Sequence, residues 1–274
     1  MILINGQADD RITIADRGLQ YGDGVFETIA YRNGIAEFLD AHLERLIAGC
    51  NRLVIPFQQL ELLRSELNTV CHDLAADDAV IKIIITRGSG GRGYLADSDV
   101  EPSRIISTHP FPTHPETHVT TGICVRFCQH NLSENSNLAG IKHLNRLDQV
   151  LARNEWHQPN IAEGLMSDNH GHVIEGTMSN LFIVKAGQIV TAELTTSGIA
   201  GIMRAQIMRL ANENGLTVEQ RAITKTEVFN ADEAFICNSI IGIWPVTSID
   251  GSETEFQVGS ITRRLQHVLA ESSK

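Results

Sequence analysis

The chain of 274 residues has little of several features that would restrict its class. Its five cysteines are scattered and odd in number, which favours a reducing cytoplasm over a disulfide framework. Only 22 basic residues stand against 33 acidic ones, and the net charge of −11 argues against nucleic acid or an anionic membrane as the main partner. No apolar run reaches membrane-span length, and the first residues lack the pattern of an export signal.

Internal repeats and low-complexity tracts are also lacking, and prolines are scarce except in one segment. Three of the seven prolines fall within His109–His118. Because proline interrupts both helices and strands, this segment predicts a linker at residues 109–118. We therefore expect an N-terminal α/β domain over residues 1–108 and a C-terminal domain over residues 119–274, a length sufficient for two cores.

Helix and strand patterns are mixed in both halves of the chain. Leu39–Leu53 and Leu60–Leu74 show helical spacing of apolar residues, and Ala79–Arg87 is typical of a buried strand. In the second half, Val119–Cys128 predicts a strand, and hairpin signals follow further along. The predicted fold class is therefore α/β, or α+β with mixed sheets, in two domains.

The stretch that organises the second half is GIKHLNRLDQVLAR, at Gly140–Arg153. An amphipathic helix is predicted to begin just after Lys142, from the spacing of Leu144, Leu147, Val150 and Leu151. The start of a helix would fix the backbone beside Lys142 and direct its amine at one point. A lysine near a helix start is more often a solvated side chain, so a catalytic role needs partners elsewhere.

Several other groups would suit an aldehyde cofactor with a phosphate tail. A Schiff-base lysine needs a fixed position, which Lys142 would have. A pyridine ring needs a carboxylate at its nitrogen, for which Glu175 in HVIEGTMSN is the candidate. A phosphate needs helix N-terminal amides, hydroxyls and a cation. The candidates for it are Arg45 in HLER, the start of a helix predicted over Gly201–Asn214, and Asn238-Ser239.

Each of these groups also has an ordinary structural interpretation. Arg45 could be an exposed helix arginine, and Glu175 a solvated residue at the end of a strand. Gly88–Gly93 could be a surface loop, and it lacks the Gly-Lys-Ser/Thr ending of a nucleotide phosphate loop. The three histidines of the proline-rich segment have no further ligands nearby in sequence, so no metal site is predicted.

The order of the motifs resembles the fold-type IV pyridoxal phosphate family. The shared motifs are HLER, a lysine before a helix pattern, EGTMSNLF, and GIMR after a glycine-rich turn. This family includes branched-chain aminotransferases, D-amino acid aminotransferases and aminodeoxychorismate lyases, which make 4-aminobenzoate for folate synthesis. RGSGGRGY at Arg87–Tyr94 and the stretch at Gly140–Arg153 both resemble the lyases in particular.

The resemblance implies a two-domain fold that holds pyridoxal 5'-phosphate between its domains, usually in a homodimer. It implies that Lys142 binds the cofactor covalently and acts as the proton-transfer base, and that Glu175 pairs with the pyridine nitrogen. For the phosphate it implies contacts from Arg45, the amides of Ile202 and Met203, and the hydroxyl of Ser239. For the carboxylate of a small-molecule substrate it implies Arg92 and Tyr94.

Two positions depart from the pattern of the relatives. Many of them have Thr where Met203 stands, so that only the amide contact to phosphate would remain. Many lyases have Thr where Glu27 stands in VFET, a form that also occurs in the aminotransferases. The alternative function is therefore a class IV aminotransferase acting on D- or branched-chain amino acids. A non-catalytic cofactor-binding protein is a third interpretation, which the presence of both Lys142 and Glu175 disfavours.

Overall fold

The chain forms two compact units in a computed structural model that describes residues 1–97 and 99–272. The first unit comprises Met1–Pro112 and Ile141–Asn145, and the second comprises Thr113–Gly140 and Arg146–Lys274. The sequence predicted a division at residues 109–118, and it did not anticipate that the segment with Lys142 belongs to the first unit. In the part of the chain that is described, no helix has the length and apolar character needed to cross a membrane.

The first unit is a sheet covered by two long helices. Its elements are β1 (Ile2–Ile4), β2 (Gln7–Ala8), α1 (Arg17–Tyr21), β3 (Gly24–Arg32), β4 (Ile35–Ala36), α2 (Leu39–Arg52), α3 (Leu60–Leu74), β5 (Ala79–Thr86) and β6 (Ser103–Pro110). The six strands run antiparallel in the order β2-β1-β6-β5-β3-β4. The apolar faces of α2 and α3 pack with β3 and β5 into one core, as the helical spacing predicted.

The second unit is built around a larger sheet with both parallel and antiparallel pairs. Its elements are α4 (Thr117–Thr120), β7 (Ile123–Phe127), α5 (Leu147–Arg153), β8 (Ile161–Ser167), β9 (Val173–Gly176), β10 (Asn180–Lys185), β11 (Gln188–Thr191), α6 (Ile202–Glu213), β12 (Val218–Gln220), α7 (Lys225–Phe229), β13 (Glu233–Asn238), β14 (Gly242–Ile249) and α8 (Ser260–Ser272). The strand order is β12-β11-β10-β13-β14-β7-β8-β9, and β9 also pairs with β10. The antiparallel first sheet, the mixed second sheet and the helices of both units confirm the predicted fold class.

Two local predictions are corrected by the structure. The strand predicted over Val119–Cys128 is only β7, because Thr117–Thr120 forms a helical turn before it. The helix predicted to begin just after Lys142 begins only at Leu147. Three of its apolar residues do not enter a core, since Leu147, Val150 and Leu151 are 73%, 51% and 53% exposed. The spacing of apolar residues identified an apolar face, but it did not show whether that face is buried.

Candidate active site

Lys142 is fixed by strand β3 and not by the start of a helix. The Phe26 N–H donates to the Lys142 carbonyl at 2.9 Å, and the Leu144 N–H donates to the Gly24 carbonyl at 3.0 Å. The Lys142 side chain is half-buried, and its Nζ lies 4.3 Å from the centroid of the Phe26 ring. The backbone on both sides of Lys142 is therefore anchored to a central strand of the first sheet, which restricts where the amine can point.

Arg45 lies in the same unit and is bound by a buried carboxylate. Its Nε donates to Glu27 Oε1 at 2.7 Å, and its Nη2 donates to Glu27 Oε2 at 2.5 Å. His42 Nδ1 lies 2.6 Å from the same Oε2. Glu27 and His42 are fully buried, and Arg45 is half-buried. A two-point contact of this kind orients the guanidinium more strictly than a single hydrogen bond does.

The charges of this Glu27–His42–Arg45 cluster follow from its burial and its contacts. Burial raises the pKa of Glu27, but the hydrogen bonds from His42 and Arg45 together hold that pKa below its usual value. Burial also lowers the pKa of His42 and outweighs the attraction of Glu27, while the positive charges of Arg45 and Lys142 lower it further. His42 is therefore neutral near pH 7, with its Nδ1 proton directed at Glu27.

The other ring nitrogen of His42 is left for a further partner. His42 Nε2 is buried, and no side chain or backbone group within residues 1–97 and 99–272 bonds to it. In a neutral imidazole that donates from Nδ1, Nε2 is an acceptor. A buried polar atom without a protein partner is commonly satisfied by water or a ligand.

The glycine-rich segment at Arg87–Tyr94 forms a loop on the surface of the first unit. The side chains of Arg92 and Tyr94 are exposed, Tyr94 by 89%. The Tyr94 ring meets the ring of Tyr21 edge-on, with 5.7 Å between their centroids. Arg92 is therefore accessible to a ligand from solvent.

In the second unit, Glu175 is a buried carboxylate that accepts hydrogen bonds from Ile199 and Gln149. The Ile199 N–H donates to its Oε2 at 2.7 Å, and Gln149 Nε2 donates to its Oε1 at 3.3 Å. Glu175 lies on β9 opposite Asn180 of β10, and Asn180 Nδ2 donates to the Ile199 carbonyl at 2.9 Å. The solvated position that the ordinary interpretation assumed is excluded by this burial.

Helix α6 begins beside β10, the strand that carries Asn180. Its N-cap is Gly201, where a Cβ would lie only 2.1 Å from Asn180 Oδ1, so a larger residue would displace that side chain. Ile202 and Met203 form the first turn, where backbone N–H groups have no acceptor within the helix. Such amides, at the positive end of a helix of twelve residues, suit an anion.

Ser239 lies in the turn between β13 and β14. Asn238 Oδ1 accepts the N–H groups of Ile240 and Ile241 at 2.8 and 2.9 Å, and its Nδ2 donates to the Met178 carbonyl at 3.0 Å. The turn that carries Ser239 is therefore set by Asn238, the residue that the sequence pairs with it as a candidate for the phosphate.

Another buried carboxylate orders the loop between β9 and β10. Glu163 accepts the Thr177 hydroxyl at 2.6 Å and the Ser179 hydroxyl at 2.8 Å, in addition to backbone N–H groups of the same loop. This contact keeps the segment after Glu175 in a single conformation.

Sequence reasoning missed three side chains that support the candidate residues: Glu27, His42 and Gln149. A signal for His42 was present, since it stands three residues before Arg45 in HLER and thus on the same side of a helix. For Glu27 and Gln149 no local pattern was available, because their partners lie 18 and 26 residues away. Among the described residues, no group of His, Cys, Asp or Glu could hold a metal ion.

Comparisons with known proteins agree along almost the whole chain. The profile of the family "Amino-transferase class IV" matches residues 24–249. An aminodeoxychorismate lyase of Vibrio harveyi is 38% identical over 269 residues, which cover 97% of this chain and 98% of that protein. A D-alanine aminotransferase of Bacillus licheniformis is 32% identical over 285 residues, covering 99% and 96% of the two chains. The crystal structure of 4-amino-4-deoxychorismate lyase from Pseudomonas aeruginosa has a TM-score of 0.94 at 44% identity, with coverage of 99% and 98%.

Proposed function

The chain belongs to the class IV aminotransferase family, and from this premise we propose that it is a pyridoxal phosphate-dependent 4-amino-4-deoxychorismate lyase. It would convert its substrate into 4-aminobenzoate and pyruvate for folate synthesis. The observation that carries the choice of reaction is the higher identity to lyases, 38% and 44%, than to a D-alanine aminotransferase, 32%, at nearly full coverage.

Pyridoxal 5'-phosphate is the cofactor of this proposal, and the chain's own residues suit it. A buried carboxylate, a lysine anchored to a strand and an arginine oriented by a buried carboxylate are the side chains that such a group needs. Lys142 would hold it covalently, and Glu175 would pair with its ring nitrogen. Its phosphate would be held by Arg45, by the amides of Ile202 and Met203, and by Ser239.

When bound, pyridoxal phosphate accepts the electron pair that is left when a C–H bond of the substrate breaks. Lys142 would remove that proton, from the ring carbon that bears the substrate nitrogen. Its anchored backbone limits the positions that the amine can take, so proton transfer would occur at one carbon. Glu175 would keep the ring nitrogen of the cofactor protonated. Arg92 and Tyr94 would bind a carboxylate of the substrate.

We also propose that the protein acts as a homodimer in the cytoplasm, with a small-molecule substrate and neither nucleic acid nor membrane as partner. The exposed apolar side chains of α5 support self-association, since a face of this kind is usually covered. Light scattering coupled to size-exclusion chromatography would give the mass directly. A mass of 30.1 kDa in solution would contradict the dimer.

The decisive experiment supplies aminodeoxychorismate to the purified protein with no keto acid present. A lyase releases 4-aminobenzoate and pyruvate in equal amounts over many turnovers, because its cofactor returns to the starting form. Fluorescence would follow the first product, and a coupled dehydrogenase the second. Failure to release either product would overturn the proposal.

The alternative is a class IV aminotransferase acting on D- or branched-chain amino acids. Its support is the similarity to D-alanine aminotransferase, together with Glu27 of VFET. The contact with Arg45 gives Glu27 a task that both reactions would need, so this residue does not distinguish them. Conversion of the bound cofactor to its amine form by D-alanine, without any lyase products, would select the aminotransferase.

A further inference from the structure

Arg17 contacts both ends of the loop that carries Arg92. Its backbone N–H donates to the Gly88 carbonyl at 2.9 Å. Its guanidinium donates to the carbonyls of Gly93 at 3.0 Å and Tyr94 at 2.8 Å. Arg17 is only 3% exposed, so these contacts are shielded from water. One residue thus joins the beginning of the loop to its end.

A single carboxylate holds this arginine in place. Asp23 Oδ2 accepts from Arg17 Nε at 3.0 Å and from Arg87 Nε at 2.7 Å. Arg87, the residue just before the loop, also donates to the carbonyls of Leu53 and Val54 at 2.8 and 2.7 Å. These contacts connect the start of the loop to the segment that follows helix α2. Two guanidinium groups therefore share one carboxylate beneath the loop.

The start of the loop requires a glycine. Gly88 has φ = +97°, and a Cβ there would lie 1.8 Å from the Glu101 carbonyl oxygen. At its end, the Arg17 guanidinium carbon lies 4.9 Å from the centroid of the Tyr21 ring, which in turn meets the Tyr94 ring. The exposed Arg92 thus lies between two anchored ends of the loop.

We propose that Arg17 is a positioning residue that sets the substrate carboxylate site by holding Gly88–Tyr94 in one conformation, so that Arg92 presents its guanidinium to a carboxylate. This inference rests on the proposed function, whose substrate carries two carboxylates. A fixed guanidinium recognises a carboxylate with less loss of conformational entropy than one on a freely moving loop. Arg17 therefore determines substrate affinity without touching the substrate.

The test uses the holoenzyme with Arg17→Met, Arg17→Lys, Arg92→Met and the double variant Arg17→Met/Arg92→Met. Arg64→Met is the matched control, because Arg64 forms an ion pair with Asp40 at the surface, 2.8 Å long. We expect Arg17→Met to raise KM for aminodeoxychorismate about tenfold or more, with kcat within about threefold of wild type. The KM of Arg17→Lys should lie between those of wild type and Arg17→Met, because an ammonium keeps the positive charge but lacks the planar guanidinium.

The double variant separates a positioning role from a structural one. If Arg17 acts through Arg92, its loss adds nothing once Arg92 is gone, so the double variant has the KM of Arg92→Met alone. A further rise in KM in the double variant would overturn the inference. So would a wild-type KM in Arg17→Met, or a fall of kcat with loss of bound cofactor.

Amide hydrogen exchange at Gly88–Tyr94 gives an independent measurement without substrate. Faster exchange in Arg17→Met than in Arg64→Met is expected, and equal exchange contradicts the proposed clamp. A wild type that releases no 4-aminobenzoate would overturn the proposed function instead. In that case the exchange measurement still decides whether Arg17 holds the loop.

Discussion

Lys142 Nζ lies 4.3 Å from the centroid of the Phe26 ring, and Lys82 Nζ lies 5.4 Å from the same centroid. Two amines thus share one aromatic neighbour on β3, yet only Lys142 is predicted to bind the cofactor. This pair provides a matched test of the catalytic assignment.

Lys142→Ala should abolish turnover, with a loss of about 10³-fold or more, because both the covalent attachment and the proton-transfer base disappear. Borohydride reduction followed by peptide mass spectrometry should find no modified peptide. In Lys82→Ala the modified peptide should persist at Lys142. Wild-type turnover in Lys142→Ala, or label at another lysine, would refute the assignment.

Glu175→Gln should retain bound cofactor but lower kcat by roughly 100-fold, since a neutral amide cannot keep the ring nitrogen protonated. Absorbance of the bound cofactor and steady-state kinetics measure the two effects separately. Glu163→Gln is the comparison, because that carboxylate is also buried but accepts from Gly164 of β8 and from the loop between β9 and β10. An unchanged kcat in Glu175→Gln would argue against its pairing with the ring.

Glu27→Gln should destabilise the first unit by roughly 3 kcal/mol, because Arg45 would lose its buried counter-charge. Urea unfolding of the apoprotein, followed by intrinsic fluorescence and circular dichroism, measures this difference. The comparison is Glu37→Gln, which breaks the more exposed pair of Glu37 and Arg32 and should cost less than about 1 kcal/mol. Equal losses in the two variants would mean that the Glu27–Arg45 contact contributes no more than a surface ion pair.

Acidification should destabilise the protein through His42. Its pKa is depressed in the fold by burial, so the unfolded chain takes up a proton near its ordinary value of 6.5 and the folded chain only at lower pH. Between those two values the unfolded state binds more protons, and the free energy of unfolding falls as the pH falls. The depressed pKa of Glu27 adds a second loss below its ordinary value of 4.5.

His42→Gln removes this titration, while its amide can still donate to Glu27. The melting temperature of the wild-type apoprotein should therefore fall more than that of His42→Gln between about pH 7.5 and about pH 5.5. His114 and His118, whose pKa values are also lowered by burial, are present in both proteins and cancel in the comparison. Parallel curves for the two proteins would contradict the neutral, buried state of His42.

The sequence alone was sufficient for the features that depend on neighbouring residues. The helices α2, α3 and α6 were predicted because apolar spacing records which side of a helix is buried. The order of short motifs around Arg45, Lys142, Glu175 and Gly201 was enough to indicate the family. These motifs can be recognised in the sequence because a lysine, a carboxylate and a helix start are each identified from a few neighbouring residues.

Only the tertiary structure decided which distant residues meet. It placed Lys142 against β3 of the first unit and joined Arg45 to Glu27 and His42. It also bound both ends of the loop that carries Arg92 to Arg17. It also left the apolar face of α5 exposed, although its spacing resembles that of a buried helix. Hydrogen bonds and ion pairs between residues that are far apart in the chain depend on strand pairing and burial, and a linear pattern of residue types does not record either.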